Sequence, residues 1–242
     1  HLGGGEMNAL YLQDQPERMA ERARESLADG YDAIKVLVVP MAEPLDSMAP
    51  LRHADRCMAA IREAVGDDVD IMVDLHGRTT PAMAIQFGEV LRPYRPWFME
   101  EPCPPENVGG MVEVAQALSG IPIATGERLV TRFQFRELYE RRACAVAQPD
   151  LCHCGGLWEA RKIAAMAETY YISVAPHNPL GPVATAAAIQ FDFATPNFLI
   201  QEAIRSDVPW RDEVVSNPVE VVDGKVALPT RPGLGIEVNE TE

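Results

Sequence analysis

Short runs rich in β-branched residues alternate with longer amphipathic runs along most of the chain. We predict strands in the short runs, at residues 33–38, 70–74, 97–100, 121–125, 145–148, 171–175 and 198–201. A helix-length segment separates each strand from the next, which is typical of repeated β-α units around a parallel sheet. With a first strand that ends at or before His1, the count rises to eight and predicts a closed parallel (β/α) barrel of the TIM type. A doubly wound open sheet is the alternative.

The domain organisation follows from the same pattern. Helices are predicted at residues 16–28, 51–65 and 81–91, and no linker divides the barrel, which we assign to residues 1–207. The segment 208–242 differs, because residues 219–226 are typical of a hairpin around Asp223-Gly224 and further turn residues follow. We expect this C-terminal tail to pack outside the barrel.

Composition and charge exclude several classes of protein. A chain of 242 residues that is 47% hydrophobic can bury a large core. The net charge of -15 argues against nucleic acid or an anionic membrane as the main partner, and no apolar run reaches the roughly 18 residues of a membrane span. Five cysteines favour a reducing compartment, so we expect the cytoplasm. The chain starts at His1 rather than Met, which leaves room for an upstream segment or a targeting peptide.

Polar residues end the predicted strands at regular intervals. Roughly 25 residues, about one β-α unit, separate successive members of this set, which comprises Asp74, Glu100, Glu127, Asp150, His177 and Glu202. In a parallel barrel the carboxyl ends of the strands carry the functional residues. We therefore expect the six side chains to converge on one rim.

Three of these residues are carboxylates on adjacent strands. Asp74, Glu100 and Glu127 form an oxygen-rich set that suits a hard divalent ion, and Mg²⁺ is our prediction. The alternative is that each acid only caps the helix that follows it. Glu101 is expected to point to the other side of its strand, because successive side chains of a strand alternate.

Two histidines flank the predicted metal site. His76 lies two residues after Asp74, so both side chains project to the same side if the extended backbone continues. His177 lies on the seventh strand, and Asp150 on the sixth could orient it. Two histidines at strand ends suit proton transfer on opposite sides of a substrate.

A family resemblance rests on a series of segments in a fixed order. These are Asp74-Leu75-His76, Met99-Glu100-Glu101-Pro102, residues 121–128, Gln148-Pro149-Asp150 with Gly155-Gly156, Ala175-Pro176-His177 and Gln201-Glu202. With these segments the chain resembles the barrel domain of the mandelate racemase branch of the enolase superfamily, and within it the acid-sugar dehydratases of the D-galactonate type. By this resemblance we expect residues 208–242 to be the segment that returns to the family's N-terminal capping domain, for which we expect no counterpart in this chain.

The resemblance implies a set of roles. It places Mg²⁺ on Asp74, Glu100 and Glu127, makes His177 the general base with Asp150 as its partner, and makes His76 the general acid. Glu202 would hold the substrate, and Arg128 would contact the substrate or neutralise the acidic rim. The implied enzyme is a hydro-lyase that removes the C2 proton of a sugar acid through a metal-stabilised enediolate and expels the C3 hydroxyl. The product is a 2-keto-3-deoxy acid, and the enzyme is expected to be a homo-oligomer.

Other functions stay open at this point. A racemase, epimerase or cycloisomerase of the same branch is disfavoured because Leu37 stands where those enzymes carry the second lysine of a Lys-x-Lys pair. A mannonate- or gluconate-type dehydratase is a closer alternative, although mannonate dehydratases usually have an arginine at the position of Gln148. A non-catalytic sugar-acid-binding barrel is a third. A zinc site at Cys152-His153-Cys154 is disfavoured because no second cysteine pair accompanies it.

Overall fold

The computed structural model describes residues 15–204 and 209–240. It divides into two compact units. The first contains the described residues up to Thr125 together with Arg141–Ala145, and the second contains Gly126–Glu140 and the described residues from Val146 onward.

The first unit alternates helices with parallel strands. Its helices are α1 Pro16–Ala28, α2 Met48–Val65, α3 Pro81–Leu91, a short 3₁₀ turn Arg92–Tyr94, and α4 Val108–Ala117. Its strands are β1 Ala33–Val36, β2 Asp70–Asp74, β3 Phe98–Glu100 and β4 Ile123–Thr125. They pair in chain order and all pairs are parallel. This is the arrangement expected when each strand is followed by a crossover helix.

The second unit continues the alternation. Its elements are α5 Thr131–Glu140, β5 Val146–Ala147, α6 Leu157–Thr169, β6 Ser173–Val174, α7 Pro182–Phe193, a 3₁₀ turn Arg211–Val214, β7 Val215–Ser216 and β8 Glu237–Val238. Strands β5 and β6 are parallel, whereas β7 and β8 are antiparallel.

Local sequence explains where several helices begin. Ser47 caps α2 by accepting a hydrogen bond from the Ala49 N–H. Thr80 caps α3 in the same way through the Met83 N–H, and Pro81 follows at the first helical position, where proline is tolerated. Asn107 caps α4 through the Gly110 N–H. These caps fix where each helix begins after the loop that leaves the carboxyl end of the preceding strand.

The core of the first unit consists of the apolar faces of its strands and helices. Strand residues such as Ile71, Val73 and Met99 are fully buried, as are Met58 and Phe87 on the helices. Strands covered on both faces have continuous apolar sequences, which is why these runs can be recognised in the sequence.

The predicted helices are confirmed. The helices at 16–28 and 81–91 have the predicted bounds, and α2 begins three residues earlier than predicted because Ser47 is its cap. Most strands are shorter than predicted at one or both ends.

Two strand predictions differ from the structure, and one lies outside it. Residues 198–201 form a single parallel bridge between Val174 and Phe198 rather than a strand. In the tail, the predicted hairpin is reduced to one antiparallel bridge between Val222 and Lys225, and the pairing of β7 with β8 was not predicted. The predicted first strand, at or before His1, lies outside the described residues. Within the described ranges, no helix is long and apolar enough to cross a membrane.

Asp192 is an unusual residue of the second unit, because it is a buried carboxylic acid. It lies near the end of α7, it is 6% exposed, and neither side-chain oxygen has a hydrogen-bond partner among the described residues. Burial raises the pKa of Asp192 from its usual 3.8 to about 8.

Asp192 is therefore expected to make the protein less stable as the pH rises. The unfolded chain releases this proton near pH 4, whereas the folded protein retains it up to about pH 8, so stability is lost across that window. Asp192→Asn should match the native protein in Tm near pH 4 and exceed it by about 5 °C or more at pH 8, given about 2 to 4 °C per kcal/mol. Thermal denaturation followed by circular dichroism measures this.

The exposed Asp68 provides a matched control. Asp68→Asn should leave the difference between the Tm values at the two pH values unchanged. A native protein whose Tm is the same at both pH values would contradict the prediction.

Candidate functional site

Two of the predicted metal ligands are direct neighbours in the first unit. Asp74 ends β2, Glu100 ends β3, and their Cα atoms are register partners in the parallel pairing. Both side chains are buried, with exposures of 3% for Asp74 and 0% for Glu100. Two adjacent buried carboxylates are costly without a positive charge, so this pair favours a cation close by.

Lys35 provides one such positive charge. It lies on β1, and its Nζ is 2.7 Å from Glu100 Oε1, with both side chains almost fully buried. No role was predicted for Lys35 from the sequence. The signal available there was a lysine in the middle of an apolar strand run, which is uncommon for a residue without a buried partner.

His76 lies beside Asp74, but by a different geometry from the one predicted. The extended backbone ends at Asp74, and His76 adopts a left-handed conformation with φ of 52°. Its N–H donates to Asp74 Oδ1 at 2.7 Å, and its Nδ1 is 3.7 Å from Asp74 Oδ2. The extended backbone therefore does not continue through His76, and a tight turn brings the two side chains together instead.

Glu101 also departs from the strand geometry that was assumed for it. Its φ is 41°, so the alternation of side chains along β3 does not determine its direction. Its side chain is fully buried, and potential ligand atoms of Glu101 and His76 lie within 4.8 Å of each other. Glu101 therefore joins the polar residues at this end of the first unit.

The remaining predicted site residues belong to the second unit. Glu127 follows Gly126, whose φ of 136° is accessible mainly to glycine, and a Cβ there would lie 2.7 Å from Phe135 Cε1. The Glu127 side chain is buried and contacts Arg128 Nε at 3.5 Å and His177 Nε2 at 3.4 Å. The conformation of Gly126 thus directs Glu127 toward His177.

Asp150 and His177 form a hydrogen-bonded pair, as the sequence analysis expected. The distance from His177 Nδ1 to Asp150 Oδ2 is 2.8 Å, and the side-chain exposures are 11% and 0%. Burial by itself would raise the pKa of Asp150. The hydrogen bonds from His177 and from the Cys152 N–H, with the charges of His177 and His153, outweigh burial and lower that pKa. Asp150 is therefore held as a carboxylate beside the imidazole.

Glu202 lies next to the loop that carries His177. Its Oε2 accepts a hydrogen bond from the Asn178 N–H at 2.9 Å. The neighbouring Gln201 donates to the Pro176 carbonyl at 3.2 Å. Residues on both sides of His177 are thus tied to the segment that was predicted as the eighth strand.

The cysteines of the second unit do not form a metal site. The Cys152 side chain is exposed, whereas Cys154 is buried, and burial raises the pKa of Cys154 to about 12. In the part of the chain that the structure describes, no group of three potential metal ligands includes a cysteine. His153, between the two cysteines, instead contacts the Glu127 carbonyl oxygen at 3.1 Å, which sequence reasoning missed.

Comparison with known proteins identifies the class. Residues 18–242 match the family described as Enolase C-terminal domain-like. The chain therefore belongs to that family, which confirms the predicted fold class and the predicted superfamily.

Individual relatives of the chain are named as dehydratases. The chain is 38% identical over 233 residues to the D-galactonate dehydratase of Variovorax paradoxus, and 36% identical over 228 residues to the D-gluconate dehydratase of Thermoproteus tenax. The alignments cover 94% and 93% of this chain but only 61% and 45% of those proteins.

Solved structures of related enzymes are similar to this chain in both fold and sequence. A mandelate racemase/muconate lactonizing enzyme from Jannaschia sp. CCS1 has a TM-score of 0.89 at 38% identity, covering 98% of this chain and 61% of that one. A member of the enolase superfamily from Salmonella Typhimurium has a TM-score of 0.89 at 37% identity, covering 93% and 60%.

The buried pair of Lys35 and Glu100 leads to a prediction about stability. Lys35→Met should lower the free energy of unfolding by about 3 to 5 kcal/mol, because it removes the cation from a buried carboxylate. The double variant Lys35→Met/Glu100→Gln should recover much of that loss. A double-mutant cycle measures this coupling, with urea denaturation of the native protein, Lys35→Met, Glu100→Gln and the double variant in the presence of EDTA. A coupling energy near zero would show that the two side chains do not stabilise each other.

Proposed function

We propose that this protein is a divalent-metal-dependent dehydratase of sugar acids, a hydro-lyase that acts on an aldonate such as D-galactonate. The observation that carries the proposal is the buried pair of Asp150 and His177, whose Nε2 faces a buried carboxylate, Glu127. A histidine held in this way is suited to remove a proton from carbon. The names of the relatives, D-galactonate and D-gluconate dehydratase, support the same class of reaction.

The residues present fit a hard divalent ion. We propose Asp74, Glu100 and Glu127 as its ligands, and Mg²⁺ as the ion, because all three offer carboxylate oxygens and are buried. The adjacency of Asp74 and Glu100 supports this, since Lys35 compensates only part of their negative charge. When bound, the ion would stabilise negative charge that develops on the substrate carboxylate.

His177 is the proposed general base. Its Nδ1 carries the ring proton and donates it to Asp150 Oδ2, which leaves Nε2 as the atom that accepts a proton from C2 of the substrate. Asp150, kept ionised, stabilises the imidazolium that results. The C2 proton of a carboxylate is very weakly acidic, so this base requires the charge stabilisation described above.

His76 is the proposed general acid. Its side chain is 42% exposed, so it can recover a proton from solvent after each turnover. It would protonate the C3 hydroxyl as that group leaves as water, and the enol that remains becomes a 2-keto-3-deoxy acid. The hydrogen bond from the His76 N–H to Asp74 fixes the start of this loop.

Glu202 and Arg128 are proposed to bind the substrate. The Arg128 side chain is 38% exposed beside Glu127, where a guanidinium can bind an anionic or hydroxylated ligand. Glu202 is an acceptor for substrate hydroxyl groups, and its bond to the Asn178 N–H fixes its position beside His177.

The function predicts turnover of aldonic acids only with a divalent ion. The full-length protein with Mg²⁺ should convert at least one member of a panel that includes D-galactonate and D-gluconate into a keto acid, detected as its semicarbazone. EDTA should abolish turnover, and Mg²⁺ should restore it. Racemisation or epimerisation without keto acid would contradict the proposal.

Two adjacent glutamates allow a comparison of variants that tests the proposed metal ligands. Glu100 and Glu101 are both fully buried, and Glu100 also pairs with Lys35, so the Tm of each variant is measured alongside its Mg²⁺ affinity. Glu100→Gln should weaken Mg²⁺ binding in calorimetry by about 10- to 100-fold or more, and Glu101→Gln by less. Equal or reversed effects would remove Glu100 from the proposed ligands.

If the two histidines have separate roles, their variants should differ in how the C2 hydrogen exchanges with solvent deuterium. His177→Asn should abolish both dehydration and exchange of the C2 hydrogen with solvent deuterium, because neither begins without the base. His76→Asn should lower dehydration by about 10² to 10⁴ while C2 exchange continues. NMR in D₂O measures both rates on one sample, and substrate affinity is measured alongside. Exchange that survives only in His177→Asn would reverse the two assignments.

A further inference from the structure

His153 contacts the backbone of one proposed metal ligand from the loop that carries the partner of the proposed base. Its Nδ1 lies 3.1 Å from the Glu127 carbonyl oxygen and 4.0 Å from Asp150 Oδ2. The shorter contact is a hydrogen bond and the longer is not. A carbonyl oxygen only accepts, so Nδ1 carries the proton in this contact and donates it to Glu127.

The same histidine is anchored at its own backbone. The His153 N–H lies 3.0 Å from the Asp150 carbonyl oxygen and 3.2 Å from Asp150 Oδ1. Asp150 in turn accepts from His177, whose Nε2 lies 3.4 Å from Glu127 Oε2. Glu127, His177, Asp150 and His153 therefore form a closed ring of contacts within the second unit. His153 is the only one of the four whose side chain is about half exposed, at 52%.

Further from the ring, other contacts join the first residues of α5 to Cys154 and to Glu159 on α6. The Thr131 N–H donates to the Cys154 carbonyl at 3.0 Å, and the Arg132 N–H donates to Glu159 Oε1 at 2.9 Å. The Arg132 guanidinium also binds both Glu159 oxygens, at 2.8 and 2.6 Å. These bonds hold the segments together without His153. Loss of its side chain is therefore expected to change the position of Glu127 rather than to unfold the segments.

We propose that His153 is a positioning residue, which fixes the Glu127 carbonyl and thereby the spacing between the Glu127 carboxylate and the Asp150–His177 pair. The ring of contacts supports this role. Glu127, His177 and Asp150 are buried and contact one another, and the His153 side chain adds the contact that joins Glu127 to the loop of Asp150. The inference rests on the proposed function insofar as Glu127 is a metal ligand and His177 a base. The existence of the contact does not depend on that function.

The first test detects the contact directly. Neutral histidine free in water favours the tautomer with the proton on Nε2, so donation to a carbonyl from Nδ1 is a distinct state. In full-length protein labelled with ¹⁵N-histidine, the ring nitrogen shifts of His153, assigned by comparison with His153→Ala, should report the Nδ1–H tautomer. The Nε2–H tautomer would overturn the proposal, whatever the protein catalyses.

The second test measures the consequence. His153→Ala should weaken Mg²⁺ binding in calorimetry by about 10-fold, and lower kcat for dehydration by about 10- to 100-fold with KM changed by less than about threefold. His153→Asn places an amide donor near the Nδ1 position, so it should restore most of both losses. His53→Ala, a change to another histidine that lies on α2, should alter neither quantity.

The outcomes separate the inference from the proposed function. A His153→Ala protein with a lower Tm but unchanged Mg²⁺ affinity and kcat would overturn the proposal, because the residue would then be merely structural. Equal losses in His153→Ala and His153→Asn would also overturn it. If no aldonate is dehydrated by the native protein, but Mg²⁺ binding still falls in His153→Ala and returns in His153→Asn, the proposed function fails and the positioning role stands.

Discussion

Buried carboxylates at the ends of parallel strands are the constraint on which the candidate site depends. Asp74, Glu100, Glu127 and Asp150 are all almost fully removed from water, and an ionised carboxylate in that environment requires a compensating partner. The chain meets this requirement in different ways. Lys35 forms an ion pair with Glu100, His177 hydrogen-bonds to Asp150, and Asp74 accepts the His76 N–H. A stability cost of this kind is typical of functional sites, where groups are held for chemistry rather than for folding.

The predictable part of this structure is the part that depends on local sequence. The helices at 16–28 and 81–91 could be predicted to the residue because a proline opens each of them and the apolar pattern continues to their ends. Strand β2 was predicted fully for a similar reason, since its run of apolar residues is bounded by Asp70 and Asp74. The segment 198–201 has a similar composition but forms only one bridge. Strand formation depends on a partner in space, and composition does not specify one.

The less predictable part consists of contacts made where the backbone leaves regular structure. His76 and Glu101 were assigned directions from the alternation of a strand, and both have left-handed backbones that the alternation rule does not cover. The ion pair of Lys35 with Glu100 joins residues 65 positions apart, and the contact of His153 with Glu127 joins residues 26 apart. Local sequence does not identify the partner in either pair. It shows only that one member is a polar residue in an unexpected place, a lysine within a strand or a histidine between two cysteines.

The lysine and the histidine that accompany these buried carboxylates lie in different environments. Lys35 pairs with Glu100 inside the core, where both side chains are almost fully buried. His177 pairs with Asp150 beyond the end of a strand, and its side chain keeps a small exposed fraction of 11%. Despite burial, hydrogen bonds to His177 and to the Cys152 N–H lower the pKa of Asp150, so this carboxylate stays ionised beside the histidine. The chain thus places the lysine within a strand and the histidine beyond a strand end, which is where parallel barrels carry their functional residues.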